Sequence, residues 1–482
     1  MAKIKLDIDR KLGKIDRRIF GSFVEHLGRC IYGGICGEDG PKCDESNFRK
    51  DVIEAIQDLN VTQLRWPGGN FASGYHWIDG VGPVEDRPSK MELAWDSVET
   101  NRFGTDEFLD FCDKVGVEPH ICTNMGTGTA EEAQNWVEYC NGSEETYYAD
   151  LRRENGRDSP YKVKYWGLGN EMYGEWQIGQ LDAEDYAKKA RKYAKLMKRI
   201  DPSIELIAVG WDEDPEWNKK VLSELEDYID YISIHMYVGN EEDDYYSYMG
   251  TSKKIESRLD MLEGVIDSVM SEVPKDERVK IAFDEWNVWY RAFKEDLLEE
   301  RYNLEDALVV SMFLNSFLRH CDYVKIANQA QLVNVIAPIM TKKGDLFLQT
   351  IYYPFSILAN YNKGVGLDVH VDCDSYKLED EKEVPYLDVS ASYDEEEGSL
   401  TLNVINRHRE DSISTVIENQ KGEVGNKVDI HELSAKDIKS QNNFEEKDNV
   451  GVIERTFDDA SNRFSYEFPP HSLTTLELEV SE

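Results

Sequence analysis

Apolar positions along the chain follow two alternating rhythms. Short runs rich in β-branched and aromatic residues give way to longer stretches with apolar residues near i, i+3, i+4 and i+7, the pattern of βα units around a parallel sheet. Eight short runs carry the first rhythm: IFGSFVEHLG (19–28), VTQLRWPGGN (61–70), VEPHICTNMG (117–126), KYWGLGNEM (164–172), ELIAVGW (205–211), YISIHMY (231–237), KIAFDEWNVWY (280–290) and VKIANQAQL (324–332). NFRKDVIEAIQDLN, TDEFLDFCDKVG, DAEDYAKKARKYAKLMKRI and LEDALVVSMFLNSFLRH carry the second. Eight βα units predict a closed (β/α)8 TIM barrel. From about residue 375 the chain alternates with period two, as in LTLNVINRH, FSYEF and SLTTLELEV, between acidic turns such as YDEEEGS. That predicts a C-terminal antiparallel β-sandwich, jelly-roll-like. The opening KIKLDID also alternates and has nowhere to pair inside a barrel, so it is expected to complete the sandwich. The expected division is an N-terminal strand in 1–17, a barrel in 18–374 and a sandwich in 375–482.

Charge narrows the partners. Against 55 Lys and Arg stand 95 Asp and Glu, a formal net charge of −40 in 482 residues, which repels nucleic-acid phosphate and anionic lipid and suits a neutral substrate. This acidity exceeds what solubility requires, so adaptation to a salty cytoplasm is a natural reading. The first residues show no apolar run followed by a small-residue cleavage site, and no window approaches 18 apolar residues. A cytoplasmic protein without a transmembrane helix is expected. Eight scattered Cys without a CxxC pair fit reduced thiols.

In such a barrel the chemistry sits at the C-terminal strand ends. Those ends are rich in polar residues: Glu25 and His26, Arg65 and Asn70, Asn124, Asn170 and Glu171, Trp211, His235 and Tyr237, Glu285 and Trp289, Asn328 and Gln331. One strand-end Asn or Glu usually caps a helix; a polar group at nearly every end of one face points to a site. Glu171 and Glu285 end the fourth and seventh runs in apolar surroundings, across the barrel mouth from each other. Two opposed carboxylates are the equipment of glycoside hydrolysis, one protonating the leaving oxygen and one attacking the anomeric carbon. At about 5 Å and an effective dielectric near 20 their repulsion is roughly 3 kcal/mol, about 2.4 pK units, which would lift one Glu from about 4.3 to between ~6 and 7. Arg65, reaching Glu285, would leave the shared proton on Glu171.

FVEHLGRCIYGGI, RWPGGNFASGYHW, KYWGLGNEMYGEWQIG, FDEWNVWY and LQTIYYPF, in this order, resemble the successive motifs of the α-L-arabinofuranosidases of glycoside hydrolase family 51, and NVINRHRED and FPPHSLTTLEL extend the resemblance into the C-terminal domain. The resemblance implies a retaining, exo-acting enzyme that releases terminal arabinofuranose from arabinoxylan or arabinan oligosaccharides. It makes Glu171 the acid/base and Glu285 the nucleophile. It places Glu25, Asn70, Asn170, Tyr237 and Gln349 in the sugar pocket, Trp289 as an apolar wall, and His235 in support of the nucleophile side. It also implies a homo-oligomer, a hexamer, and no cofactor. One departure lies on the leaving-group side, where Tyr173 and Glu175 replace the family's Asp and Pro.

Two other classes compete. A metal-dependent barrel hydrolase could use His26, His76, His120 and His235, or Cys30, Cys36 and Cys43, but no HxH or HExxH occurs, so no metal is expected. A sugar-binding barrel without activity would normally have lost one carboxylate. The nearest alternative is a related retaining glycosidase, an endoglucanase or β-xylosidase, using the same Glu pair.

Overall fold

The computed structural model describes residues 2–37, 43–293, 297–379 and 382–481. All eight runs form strands: β1 (Gly21–Phe23), β2 (Gln63–Trp66), β3 (Glu118–Cys122), β4 (Tyr165–Leu168), β5 (Glu205–Val209), β6 (Tyr231–Val238), β7 (Lys280–Val288) and β8 (Val324–Ala330). They close in sequence order, with β8 pairing parallel to β1 through Gln329 and Ser22. Each strand is buried on both faces, which is why the runs read as nearly continuous apolar stretches.

The four helical patterns form Lys50–Leu59, Thr105–Val115, Ala183–Ile200 and Leu304–Arg319. Ala183–Ile200 shows why: Asp182 accepts the Asp185 N–H as an N-cap, and Tyr186, Ala187, Ala190, Tyr193, Ala194 and Met197 make one buried stripe. Leu304–Arg319 is buried on nearly every side, between the barrel and the β-domain, so apolar residues spread around most of its circumference and its polar ones are buried too.

The β-domain stacks two sheets. Four strands (His370–Asp372, Ala2–Leu6, Ile413–Asn419, Arg463–Phe468) face seven (Lys11–Lys14, Val365–Leu367, Leu387–Asp394, Ser399–Asn406, Ser472–Ser481, Glu423–Ser434, Gly451–Phe457) around a core separate from the barrel's. The N-terminal strand joins as expected, with its contact to Ile413–Asn419 parallel. The expected boundary at 375 is late: Val365–Leu367 and His370–Asp372 already belong to the sandwich sheets. Three-residue strands are too short to show an alternation, so the change of rhythm became legible only after them.

A partly buried ionic network, with Asp388 and Arg407 at its buried end, ties the two bodies. Arg319 contacts Glu256 at 2.6 Å and Asp388 at 2.9 Å, Arg407 also bonds Asp388, and His320 bridges Glu256 and Glu263 at 2.9 and 2.7 Å. No helix of the described residues is long and apolar enough to cross a membrane.

Candidate active site

The catalytic face is built on one irregularity in β7. Ser233 pairs with Ala282 but His235 with Glu285, and on the other side Phe283 pairs with Ala327 but Trp286 with Gln329, so β7 carries an extra residue between fixed pairs. Such a bulge re-aims side chains. In a regular strand Asp284 and Glu285 would face opposite ways; here both reach Arg65. Its Nη1 donates to Glu285 Oε2 at 2.8 Å and to the Asp284 carbonyl at 2.9 Å, its Nε lies 3.6 Å from Asp284 Oδ2, and its Nη2 bonds Asn170. Tyr237 donates to the other oxygen of Glu285 at 2.8 Å, so both oxygens of this carboxylate are held by donors.

Opposite, the turn after β4 leaves the ordinary backbone regions: Gly169 has φ of 82° and Glu171 φ of 43°. A non-glycine residue there is strained and is held by its surroundings. Those surroundings are His235 Nδ1 at 3.0 Å from Glu171 Oε1 and the Trp176 indole N–H donating to Oε2 at 2.8 Å. One carboxylate oxygen of Glu171, one of Glu285 and a ring nitrogen of His235 lie within 4.8 Å of one another. That spacing falls short of the roughly 6.5 to 9.5 Å that a single displacement, with its attacking water, needs between its carboxyl groups.

His235 changes the expected electrostatics. Burial opposes its charge, but Glu285, Asp284 and Glu171 around it push its pKa up to about 10. Burial likewise opposes ionisation of Glu171, yet the hydrogen bond and charge of His235, with Trp176 and Arg65, hold its pKa below the usual value. The expectation of a Glu171 raised by repulsion from Glu285 is therefore corrected. A bare carboxylate pair was assumed, whereas a cationic ring stands between the two. Asp284, at 3.1 Å from His235 Nε2, is also held low: burial opposes this, and Arg65 and His235 outweigh it. With a carboxylate at each ring nitrogen, His235 carries both protons and has no lone pair for a metal. The other histidines under consideration stand apart from it: His26 bonds Glu99 and Trp66, His76 bonds Glu132, and buried His120, its pKa lowered to about 4 by burial, is neutral.

Glu25 lies beside this group. Its Oε1 accepts the N–H groups of Gly69 at 3.1 Å and Phe71 at 3.0 Å, and Gln331 donates to its Oε2 at 2.9 Å. Burial, with the Glu285 charge adding to it, pushes its pKa up to about 8, so it is a neutral acid at pH 7. Glycine is required alongside: a Cβ on Gly68 (φ 157°) would sit 2.5 Å from the Glu25 side chain, and one on Gly69 would sit 3.1 Å from Glu285 Oε2.

Arg65, Asn170, Glu171, His235, Tyr237 and Glu285 thus form one hydrogen-bonded cluster. Asn70 joins it through Asn170 at 3.5 Å, and Trp289 packs edge-on against Tyr237 with ring centres 5.5 Å apart. Gln349 is turned elsewhere: its amide donates to the Glu300 and Ala337 carbonyls and accepts the Tyr302 N–H. Asn124 is spent on the Gly126 and Gly128 N–H groups. Sequence reasoning missed Asp284, Trp176 and Trp95, whose indole N–H reaches Glu25 at 3.3 Å. Asp284 was hidden by its position next to Glu285, and only the bulge places it inside. Beyond the turn that carries Glu171, Tyr173 stacks face to face on Trp211 (4.6 Å, 2°) at the edge of a cleft of about 880 Å³ that Glu175, Trp217, Lys219 and Lys220 also line.

Two carboxylates across the mouth of an eight-stranded barrel, each fixed by its own donors, define a glycoside hydrolase. Comparison with known proteins makes this specific. The model of the alpha-L-arabinofuranosidase 1 domain matches residues 55–254, and that of the alpha-L-arabinofuranosidase C-terminal domain matches 284–472. The chain is 42% identical to alpha-L-arabinofuranosidase C of Emericella nidulans over 98% of this chain and 96% of that one. It is 40% identical to the intracellular exo-alpha-(1->5)-L-arabinofuranosidase 1 of Bacillus subtilis over 99% of both. The arabinose complex of the Thermotoga maritima alpha-L-arabinofuranosidase superposes with a TM-score of 0.93 at 43% identity, covering all of both chains. The GH51 enzyme of Thermotoga petrophila gives 0.93 and 43%, over 99% of this chain and 100% of that one. The chain belongs to the α-L-arabinofuranosidases of glycoside hydrolase family 51.

Proposed function

We propose that the chain removes terminal α-L-arabinofuranose from arabinan or arabinoxylan oligosaccharides by double displacement, with Glu285 as nucleophile and Glu171 as acid/base. The observation that carries this reading is the close approach of the two carboxylates across the mouth, within 4.8 Å at their nearest donor set. Glu285 attacks the anomeric carbon and its new bond replaces the glycosidic one, while Glu171 gives a proton to the leaving oxygen. Water then attacks the same carbon, Glu171 takes a proton from it, and the electron pair of the ester bond returns to Glu285. Arg65 and Tyr237 orient the attacking carboxylate. Asn170 and Asn70 face the sugar hydroxyls, and neutral Glu25 can donate a hydrogen bond to one as well as accept. The departing oligosaccharide lies toward Tyr173 and Trp211. The substrate named for the Bacillus subtilis relative supports an arabinan of (1->5) linkage, and its intracellular setting supports a cytoplasmic enzyme here.

Azide separates the two roles. In Glu285→Gly we expect azide to attack directly and give the inverted arabinosyl azide. In Glu171→Ala the covalent intermediate still forms with an activated aryl arabinoside, and azide should intercept it to give the retained product. Proton NMR of the wild-type reaction showing the inverted anomer first would overturn double displacement. A panel of aryl glycosides differing only in the sugar tests the specificity, and fastest turnover of a glucoside or xyloside would overturn it.

A further inference from the structure

Trp176 holds an unusual place. Its side chain is 61% exposed, among the large apolar residues that face solvent, yet its indole N–H is committed to Glu171 Oε2 at 2.8 Å. The ring lies flat over the bare Cα of Gly174: a Cβ there would meet indole carbons at 2.4 to 2.9 Å. Gly174 has no positive φ, so its backbone would accept any residue, and the ring alone excludes one. Tyr173 abuts the same ring edge-on, centres 6.2 Å apart at 90°. Glycine, tyrosine and indole are thus arranged around one hydrogen bond to one carboxylate oxygen, the one not taken by His235.

We propose that Trp176 is a positioning residue that divides the work of Glu171 between the two half-reactions. This rests on the acid/base role of Glu171. An N–H donor favours the carboxylate over the carboxylic acid. It therefore lowers the share of Glu171 that carries a proton when the first step begins, and it keeps Glu171 ionised and aimed at the water for the second. In that second step oxygen of water bonds to the anomeric carbon, the bond to Glu285 breaks with its electron pair going to Glu285, and the water proton passes to Glu171. Trp176 also fixes the carboxyl plane, since His235 alone would leave one oxygen free to swing. The groups facing Glu171 are His235 and Tyr237 from β6, Arg65 from β2, Glu285 and Asp284 through His235 from β7, and Tyr173 from its own loop. Trp176 is uncharged and more open to solvent than any of them, so a leaving sugar can cover it and uncover it again within one turnover.

Two variants remove this bond by independent routes. Trp176→Phe keeps the ring and deletes the N–H. Gly174→Ala keeps the indole and drives it off Glu171 with a methyl group. On an unactivated arabino-oligosaccharide, where the first step limits, we expect both to shift the alkaline limb of kcat/KM up by about one pH unit. On an activated aryl arabinoside, where the second step limits, we expect kcat to fall about tenfold at pH 7, because the carboxylate is then no longer held in the plane that takes the proton from water. The double variant should match either single one, because both delete the same bond. Unshifted limbs in both variants, or additive losses in the double, would overturn the proposal. Glu171→Ala with undiminished turnover of the oligosaccharide would instead overturn the acid/base assignment. In that background Trp176→Phe should change nothing further on the activated substrate.

Discussion

Glu25 shows how a functional site draws on stability. Its pKa, raised from an ordinary carboxyl value to about 8, means the folded state binds a proton more tightly than the unfolded one. The stabilisation is complete below about 4.3 and is lost as pH rises through 8, because the folded state must then ionise a buried group beside Glu285. Glu25→Gln keeps a neutral side chain of the same shape at every pH. The unpartnered carbonyl oxygen of Gln331 can turn to accept from the new amide. We expect the variant to melt a few degrees above the parent at pH 8.5 and no higher at pH 4.5, while losing most of its activity. Equal melting shifts at both pH values would refute this. At this scale the sequence was legible where chemistry and strand end coincided, as for Glu171, Glu285, Arg65, Asn170 and Tyr237. It was opaque where role depended on a third dimension: the cationic bridge of His235 and the lowered pKa of Glu171 need three carboxylates, two from β7 and one from the turn after β4, to meet around one ring.

Among elements, the barrel strands could be read as short, nearly continuous apolar runs because both of their faces are buried, and the covering helices from the period of 3.6 that one buried face leaves. The β7 bulge and the early sandwich strands could not, since neither leaves a periodic mark. The junction between barrel and sandwich is similarly silent in the sequence: Arg319, Asp388, Glu256, His320 and Arg407 are ordinary charges until the helix Leu304–Arg319 brings them together. Removing Asp388, 5% exposed, leaves two guanidinium groups without their shared partner. We expect Asp388→Ala to lose about 3 to 5 kcal/mol by denaturant unfolding with kcat unchanged below the transition. His320 adds a pH signature. Burial opposes its charge, but Glu256 and Glu263 push its pKa to about 9, so its stabilisation is full below about 6.5 and fades as pH rises through 9. His320→Gln should flatten the melting curve over that window; an unchanged slope would place the pH dependence elsewhere.

For the molecule as a whole, a net charge of −40 makes self-repulsion a global term. Many acidic groups already have a cationic partner, but the excess cannot all be paired by 55 Lys and Arg. Screening by molar salt is therefore expected to raise the melting temperature, and a flat or falling curve between low and high salt would refute salt adaptation. Resemblance to the family also leads us to expect six chains in solution, and light scattering from a single chain under active conditions would end that expectation.

The N-terminal strand has a consequence for how the protein comes into being. Ala2–Leu6 leaves the ribosome before the barrel does, yet its parallel partner Ile413–Asn419 is made more than four hundred residues later. Until His370–Asp372 is made, a strand with Ile4 and Leu6 on one face has both edges open, and until Ile413–Asn419 is made it keeps one open, while the barrel it precedes can already close. Birth order and burial order are reversed for this segment. A chain that stalls before Ile413 would present a finished barrel trailing an adhesive thread, a form that cellular proteolysis can distinguish from the completed enzyme.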